Sequence, residues 1–309
     1  MSNSTVLYNN TSQVSFSKLA ENVRTFLIFL LFLAIVLYLY CMAMILNVYF
    51  STPHVRETVR YGLFAHMLVT DTLQLLIALV FYIAFTHSIK MPVPVCLGVV
   101  TFSTSSFLVT PFNLAAMSLE RYIAICYPLS HVQYCTLNRC NAVISVMWGI
   151  GVTSIIAEFI AMSPSIEKSY YSSNAMCYWR TFIVNPTQRA IRTLTLVVSF
   201  TAVGLVIIFT YIKVTLVARK IGSNKSSAFK AAKTVILHAL QLLLCMTSFM
   251  SPFVEEVLKE YFYFLGSVNF FLFMCLPRFI SPLIYGLRDE VFRQPIRKLF
   301  TRNYKGDIK

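Results

Sequence analysis

Seven stretches of this chain are almost without charge, and each is long enough to cross a lipid bilayer. Residues 25–50, 91–119, 193–212 and 234–254 carry no Asp, Glu, Lys or Arg; 61–86 carries only Asp71, 140–166 only Glu158 and 261–287 only Arg278. A helix needs about 20 apolar residues to span the hydrocarbon, whereas a spanning strand needs about 10 that alternate. These runs are longer and apolar on both parities, so they predict helices. Charged residues make up 12% of the chain and hydrophobic ones 57%. That excludes a disordered chain and a polar, basic nucleic-acid surface. Eight Cys in 309 residues are too sparse for a small disulfide scaffold. The fold class is an all-α membrane protein, a seven-transmembrane helix bundle over 25–287 with a short amphipathic C-terminal helix in the segment 288–309.

Lys and Arg beside the spans set the orientation. Seventeen fall on the side of the C-terminus and eight on the other, with Arg278 inside a span. The C-terminus is therefore expected in the cytoplasm and residues 1–24 outside. Sequons at Asn3, Asn9 and Asn10 agree, as glycosylation is an outer-side modification. The sequon at Asn224 sits in an inner loop and is expected to stay unused. The first apolar run is long enough to act as an uncleaved anchor. Loops are short, and no internal repeat of the transporter kind is visible. After the last span, Phe292, Ile296, Leu299 and Phe300 recur at helical spacing with Arg293, Arg297 and Lys298 on other faces. That pattern predicts a helix on the inner leaflet, in contact with membrane lipid.

The third span ends in Met117-Ser118-Leu119-Glu120-Arg121-Tyr122-Ile123-Ala124-Ile125-Cys126-Tyr127-Pro128-Leu129, and the seventh in Ser281-Pro282-Leu283-Ile284-Tyr285-Gly286-Leu287-Arg288-Asp289. These strings resemble the signatures of vertebrate odorant receptors of the fish type, within the rhodopsin-like G-protein-coupled receptors. The resemblance runs from about residue 25 to 300. It implies a receptor, not an enzyme, that binds a small odorant among its helices. It further implies a stimulatory, olfactory-type heterotrimeric G protein as partner and a rise in cyclic AMP, at the plasma membrane of olfactory sensory neurons. No cofactor and no metal are expected.

By the same resemblance, Glu120, Arg121, Tyr122, Tyr211, Pro282 and Tyr285 form the activation switch. A neighbouring acid and base at the membrane boundary can pair locally and part when helices move; the bland alternative is two interfacial charges reaching for water. Pro282 lacks an N–H and loosens its helix, with Tyr285 one turn on as a polar latch. Ser281 stands where the family usually has Asn. Cys96 and Cys177 are the cysteines placed on the oxidising outer side, and a disulfide between them would pin the second outer loop to the third span. Cys126, Cys135 and Cys140 lie on the reducing side.

An intramembrane charge is costly and marks function by default. Asp71 resembles the sodium-binding acid of many rhodopsin-like receptors. Thr110 stands where mammalian odorant receptors often carry a second acid, and Arg278 lies one turn before Pro282. The expectation is that Arg278 pairs with Asp71 in place of sodium. Glu158 faces the ligand, is neutral, or turns to an Arg or Lys in the outer loop. His66 and His238 read as packing residues. The remaining ligand candidates are Ser103, Thr104, Phe107 and Leu108 in the third span and Thr195 and Ser199 in the fifth. The sixth offers Phe249, Met250 and Phe253, and the seventh Phe271 and Met274. Any helix-bundle core has this makeup, mostly apolar with a few hydroxyls. The competing readings are a rhodopsin-like receptor for a non-odorant small molecule or peptide, a transporter or channel, and a structural membrane protein.

Overall fold

The structure is a computed structural model. It describes residues 2–177, 182–220, 236–237, 239–240, 243–244, 246, 268, 270–286 and 291–292. The elements are helices α1 (Ser2–Ser51), α2 (Pro53–Arg56), α3 (Val59–Thr86), α4 (Val93–Cys126), α5 (Pro128–Tyr134), α6 (Leu137–Met162) and α7 (Pro186–Lys220), then a π-helical turn Phe270–Cys275 that runs into α8 (Leu276–Gly286). Five of these contain a segment long and apolar enough to cross a membrane: Ile28–Ser51, Val59–Ala84, Val93–Cys126, Leu137–Ser165 and Pro186–Val217. They coincide with the first five uncharged runs. The described residues between Ile236 and Met246 are helical, and the seventh run contributes the shorter apolar helix Phe270–Ile280.

Local chemistry sets the helix ends. Asn185 accepts from the backbone N–H of Gln188 at 2.7 Å and Pro186 follows as the first helical residue of α7, a capping asparagine and a proline whose missing N–H costs nothing there. The same Asn185 amide donates to Ala161 O at 2.7 Å, which ties the end of α6 to the start of α7. Pro128 opens α5, and Thr136 caps α6 by accepting from Arg139 N.

Helix α4 is the central element, packed on α7, α3 and α6. Along α7 the buried residues Leu196, Ser199, Phe200, Val203, Ile207, Thr210 and Val214 recur every three or four positions, while Leu194, Val197, Val198, Leu205 and Ile208 face outward. One stripe meets the bundle and the other is left for lipid. Where α4 and α6 cross, a Cβ built on Gly151 meets Ser105 O at 3.1 Å. Small residues that let backbones approach are the usual membrane solution, because hydrocarbon gives no hydrophobic drive between helices.

Three features differ from the sequence reading. The first helix starts at Ser2 and runs without a break into the first apolar run, so the sequons at Asn3, Asn9 and Asn10 lie on helical backbone; their side chains are outside the described residues. The loops before α4 and after α6 form a small antiparallel ribbon, β1 (Lys90–Pro92) against β2 (Asn174–Met176). Finally, Phe292 does not face the membrane surface. It is buried against Tyr61 and Phe64 of α3, with ring centroids 5.4 and 5.5 Å away. Ile296, Leu299 and Phe300 lie outside the described residues.

Replacing Gly151 with Leu forces α6 away from the α4 backbone. We expect Gly151→Leu to lower the amount of folded protein at the cell surface several-fold, and Gly151→Ala to have a far smaller effect, measured by surface labelling.

Candidate functional site

Polar side chains join the helices of the bundle. Across α3 and α4, Ser106 donates to Gln74 Oε1 at 2.9 Å, Thr110 to Asp71 Oδ1 at 3.2 Å and the Asn113 amide to Leu63 O at 2.9 Å. Tyr38 of α1 meets Thr72 at 3.1 Å, and the Trp148 indole of α6 donates to His66 Nε2 at 3.0 Å. Such interhelical bonds average about 0.6 kcal/mol. Packing therefore carries most of the stability, and the rungs fix which residues face each other.

The three intramembrane charges are each held differently. Thr110, in the position of the absent second acid, is a hydrogen-bond donor to Asp71. Arg278 is buried, at 7% exposure, and its guanidinium donates to Met274 O one turn back. Among the described residues no ion pair joins Asp71 to Arg278, and the Arg278 Nε has no partner there. The π-helical turn that precedes α8 resets the helical phase just before Arg278, which spacing in the sequence does not reveal. Glu158, 5% exposed, is paired with Arg192 of α7: Nε and Nη2 both converge on Oε2 at 2.9 and 2.7 Å. Of its expected roles, the ion pair is the one the structure shows.

Toward its C-terminal end, α4 is longer than a hydrocarbon core is thick. Arg121 lies about 40 Å along a helix that starts at Val93, beyond an apolar core about 30 Å thick. Glu120 is buried and its Oε2 lies 3.7 Å from Arg121 Nε. The other oxygen, Oε1, is 3.2 Å from His131 Nε2 on α5. His131 was not singled out from the sequence, because nothing in the motif shows that the loop after it folds back. Tyr122 packs on Phe209 of α7 and on Tyr127 at 5.6 and 5.7 Å. Tyr211 is exposed near the inner end of α7 and Pro282 is buried within α8; the side chains of Ser281 and Tyr285 are outside the described residues. Just past α5, burial and the Glu120 charge push the Cys135 thiol above the usual range.

At the outer end Cys96 and Cys177 form the expected disulfide, closing 81 residues. They sit with Val93, Val100, Met162 and Phe182 in a buried cluster beside the β1–β2 ribbon. Among the ligand candidates, the structure brings Phe107 of α4 within 6.3 Å of Phe200, the neighbour of Ser199 on α7. Leu108 is fully buried in the core, and Thr104 is spent on its own helix, donating to Val100 O. Ser103 and Thr195 are partly buried. Phe271 meets Phe279 at 6.3 Å, and Met274 packs on the core. Phe249, Met250 and Phe253 lie outside the described residues. No group of His, Cys, Asp and Glu able to hold a metal occurs among the described residues.

The described helices form a membrane-spanning bundle with a long central helix, a disulfide-pinned loop and a buried acid beside an arginine. A family model described as the seven-transmembrane receptor (rhodopsin family) matches residues 42–285. The chain belongs to that family, whose members span the plasma membrane several times and are not enzymes. It is 33% identical over 198 residues to Odorant receptor 131-2 of Danio rerio, covering 61% of this chain and 59% of that protein. It is also similar to two Homo sapiens proteins. Identity is 29% over 203 residues to Olfactory receptor 52A5 (60% of this chain, 61% of that one). It is 27% over 202 residues to Olfactory receptor 2D2 (62% and 63%). The chain spans about three-fifths of the length of these relatives.

Breaking a buried ion pair from one side strands a charge, at about 3–5 kcal/mol, whereas replacing both partners with apolar groups is often neutral. Glu158→Leu and Arg192→Leu alone are each expected to lower the melting temperature of the purified protein more than the two together. Additive losses would contradict the pairing.

Proposed function

We propose that this chain is an odorant receptor. It takes a small odorant between its helices and passes the signal to a heterotrimeric stimulatory G protein of the olfactory type, raising cyclic AMP. The observation that carries the reading is the inner cluster. Glu120 holds Arg121 beside α5, and α5 turns Leu129 and Val132 outward at 93% and 77% exposure. A short helix outside the membrane that displays two aliphatic side chains next to a caged arginine suits a docking protein. The basic excess on that side suits a partner of complementary charge. The similarity to odorant receptors supplies the ligand class and the kind of partner.

The mechanism is a population shift, because the receptor makes and breaks no covalent bond. A ligand that favours one arrangement of α4, α7 and the seventh helix moves the equilibrium by no more than its differential affinity. Phe107, Ser199, Phe271 and Met274 are the residues we assign to that contact. Movement of the inner ends then parts Arg121 from Glu120. In this reading residues 1–24 lie outside, 25–287 form the bundle and 288–309 face the cytoplasm, in the membrane of olfactory sensory neurons.

The test is a cyclic AMP assay in cells supplied with the olfactory-type G protein, over a panel of odorants. Responses are expected from the native chain, to vanish in Arg121→Ala and to fall several-fold in Leu129→Ala at equal surface level. A response that survives Arg121→Ala would overturn the coupling. A receptor silent to odorants but responsive to peptides would overturn the ligand class.

A further inference from the structure

We propose that His131 is a second, proton-dependent latch on the Glu120–Arg121 pair, so that acidification of the cytoplasm holds the receptor at rest. The proposal rests on the coupling described above. Glu120 divides its two oxygens between two elements: Oε2 faces Arg121 on α4 at 3.7 Å, and Oε1 faces His131 on α5 at 3.2 Å. The histidine contact is the shorter one. It is also the one that ties the acid to a different helix.

Helix α5 has two faces. Ser130 and His131 are partly buried, while Leu129, Val132 and Gln133 are exposed. A partner that grips Leu129 and Val132 therefore pulls on the same seven residues that carry the latch. Docking outside and release inside become one motion.

Other groups surround the carboxylate. Arg121 belongs to α4, Arg60 reaches it electrostatically from α3, and Cys135 follows α5 with Arg139 of α6 beyond it. The arginines stay charged at any physiological pH. The Cys135 thiol is pushed up by burial and by Glu120, so it stays protonated. Histidine is the side chain whose charge changes between pH 5 and 8. An imidazolium donor to a carboxylate makes a bond about twice as strong as a neutral one. The sign follows. A protonated His131 ring holds Glu120 through a charge-assisted bond that a neutral ring does not make, so lowering the pH favours the latched, resting state. Protonation of Glu120 itself would do the reverse, freeing Arg121 and raising activity in acid.

Two measurements on the full chain in lipid nanodiscs test this. The first needs no G protein. Histidine ring resonances are followed against pH, the His131 signal being assigned by its loss in His131→Gln among five histidines. The midpoint of His131 is expected to fall in Glu120→Gln; an unchanged midpoint overturns the latch. The second is nucleotide exchange on the stimulatory G protein between pH 6 and 8. Native exchange is expected to fall several-fold towards pH 6, His131→Gln to be flat and high, and His131→Lys to be low throughout. Exchange that rises in acid, or a His131→Gln profile with the native slope, overturns the proposal. No exchange at any pH defeats the coupling reading instead, while the resonance shift still decides the latch.

Discussion

Hydrocarbon offers a charge nothing to bind, and the rest of this bundle follows from that. A charged side chain at the bilayer centre costs about 2.5–3.5 kcal/mol on insertion scales. Each ionic group in a span of this chain must therefore find its partner on protein. Asp71 takes a hydroxyl from Thr110 across α3 and α4, Glu158 takes Arg192 across α6 and α7, and Arg278 takes the Met274 carbonyl within its own segment. The first two contacts set the register between helices that lipid alone would let slide. The third does not cross between helices, and it leaves Arg278 the least satisfied charge among those described.

The same rule gives the inner cluster its character. At the end of α4 the acid is still buried but water is within reach, so a charge there can change partners at modest cost. Glu120 is held by a weak pair with Arg121 and a closer contact with His131. Either partner can be surrendered there without stranding a charge in hydrocarbon. The Glu158–Arg192 pair has no such freedom, and it fixes α6 to α7.

The first five spans and the disulfide were legible in the sequence because each follows from one-dimensional patterns: runs without charge, and cysteines set apart from the rest. The Glu120–Arg121 pair was legible because it is local. What failed were contacts between elements. Filtering for charge passes over amides, so Gln74 and Asn113 escaped notice although both are buried and bonded across α3 and α4. The π-helical turn at Phe270–Cys275 shifts the helical phase ahead of Arg278, which residue spacing does not show. Phe292 reads as a membrane-facing residue on periodicity, yet Tyr61 and Phe64 offer it a site in the bundle. His131 lies ten residues past Arg121, too far for any local rule, and reaches Glu120 only because Pro128 starts a helix that turns back.

The central claim is that the Glu120 carboxylate holds the resting state from the inner end of α4. It is tested most directly by basal nucleotide exchange of Glu120→Gln, without ligand, on the stimulatory G protein at equal receptor amount. The account predicts basal exchange several-fold above the native chain, because both Arg121 and His131 lose their anion. Basal exchange at or below the native level in a folded variant would contradict it.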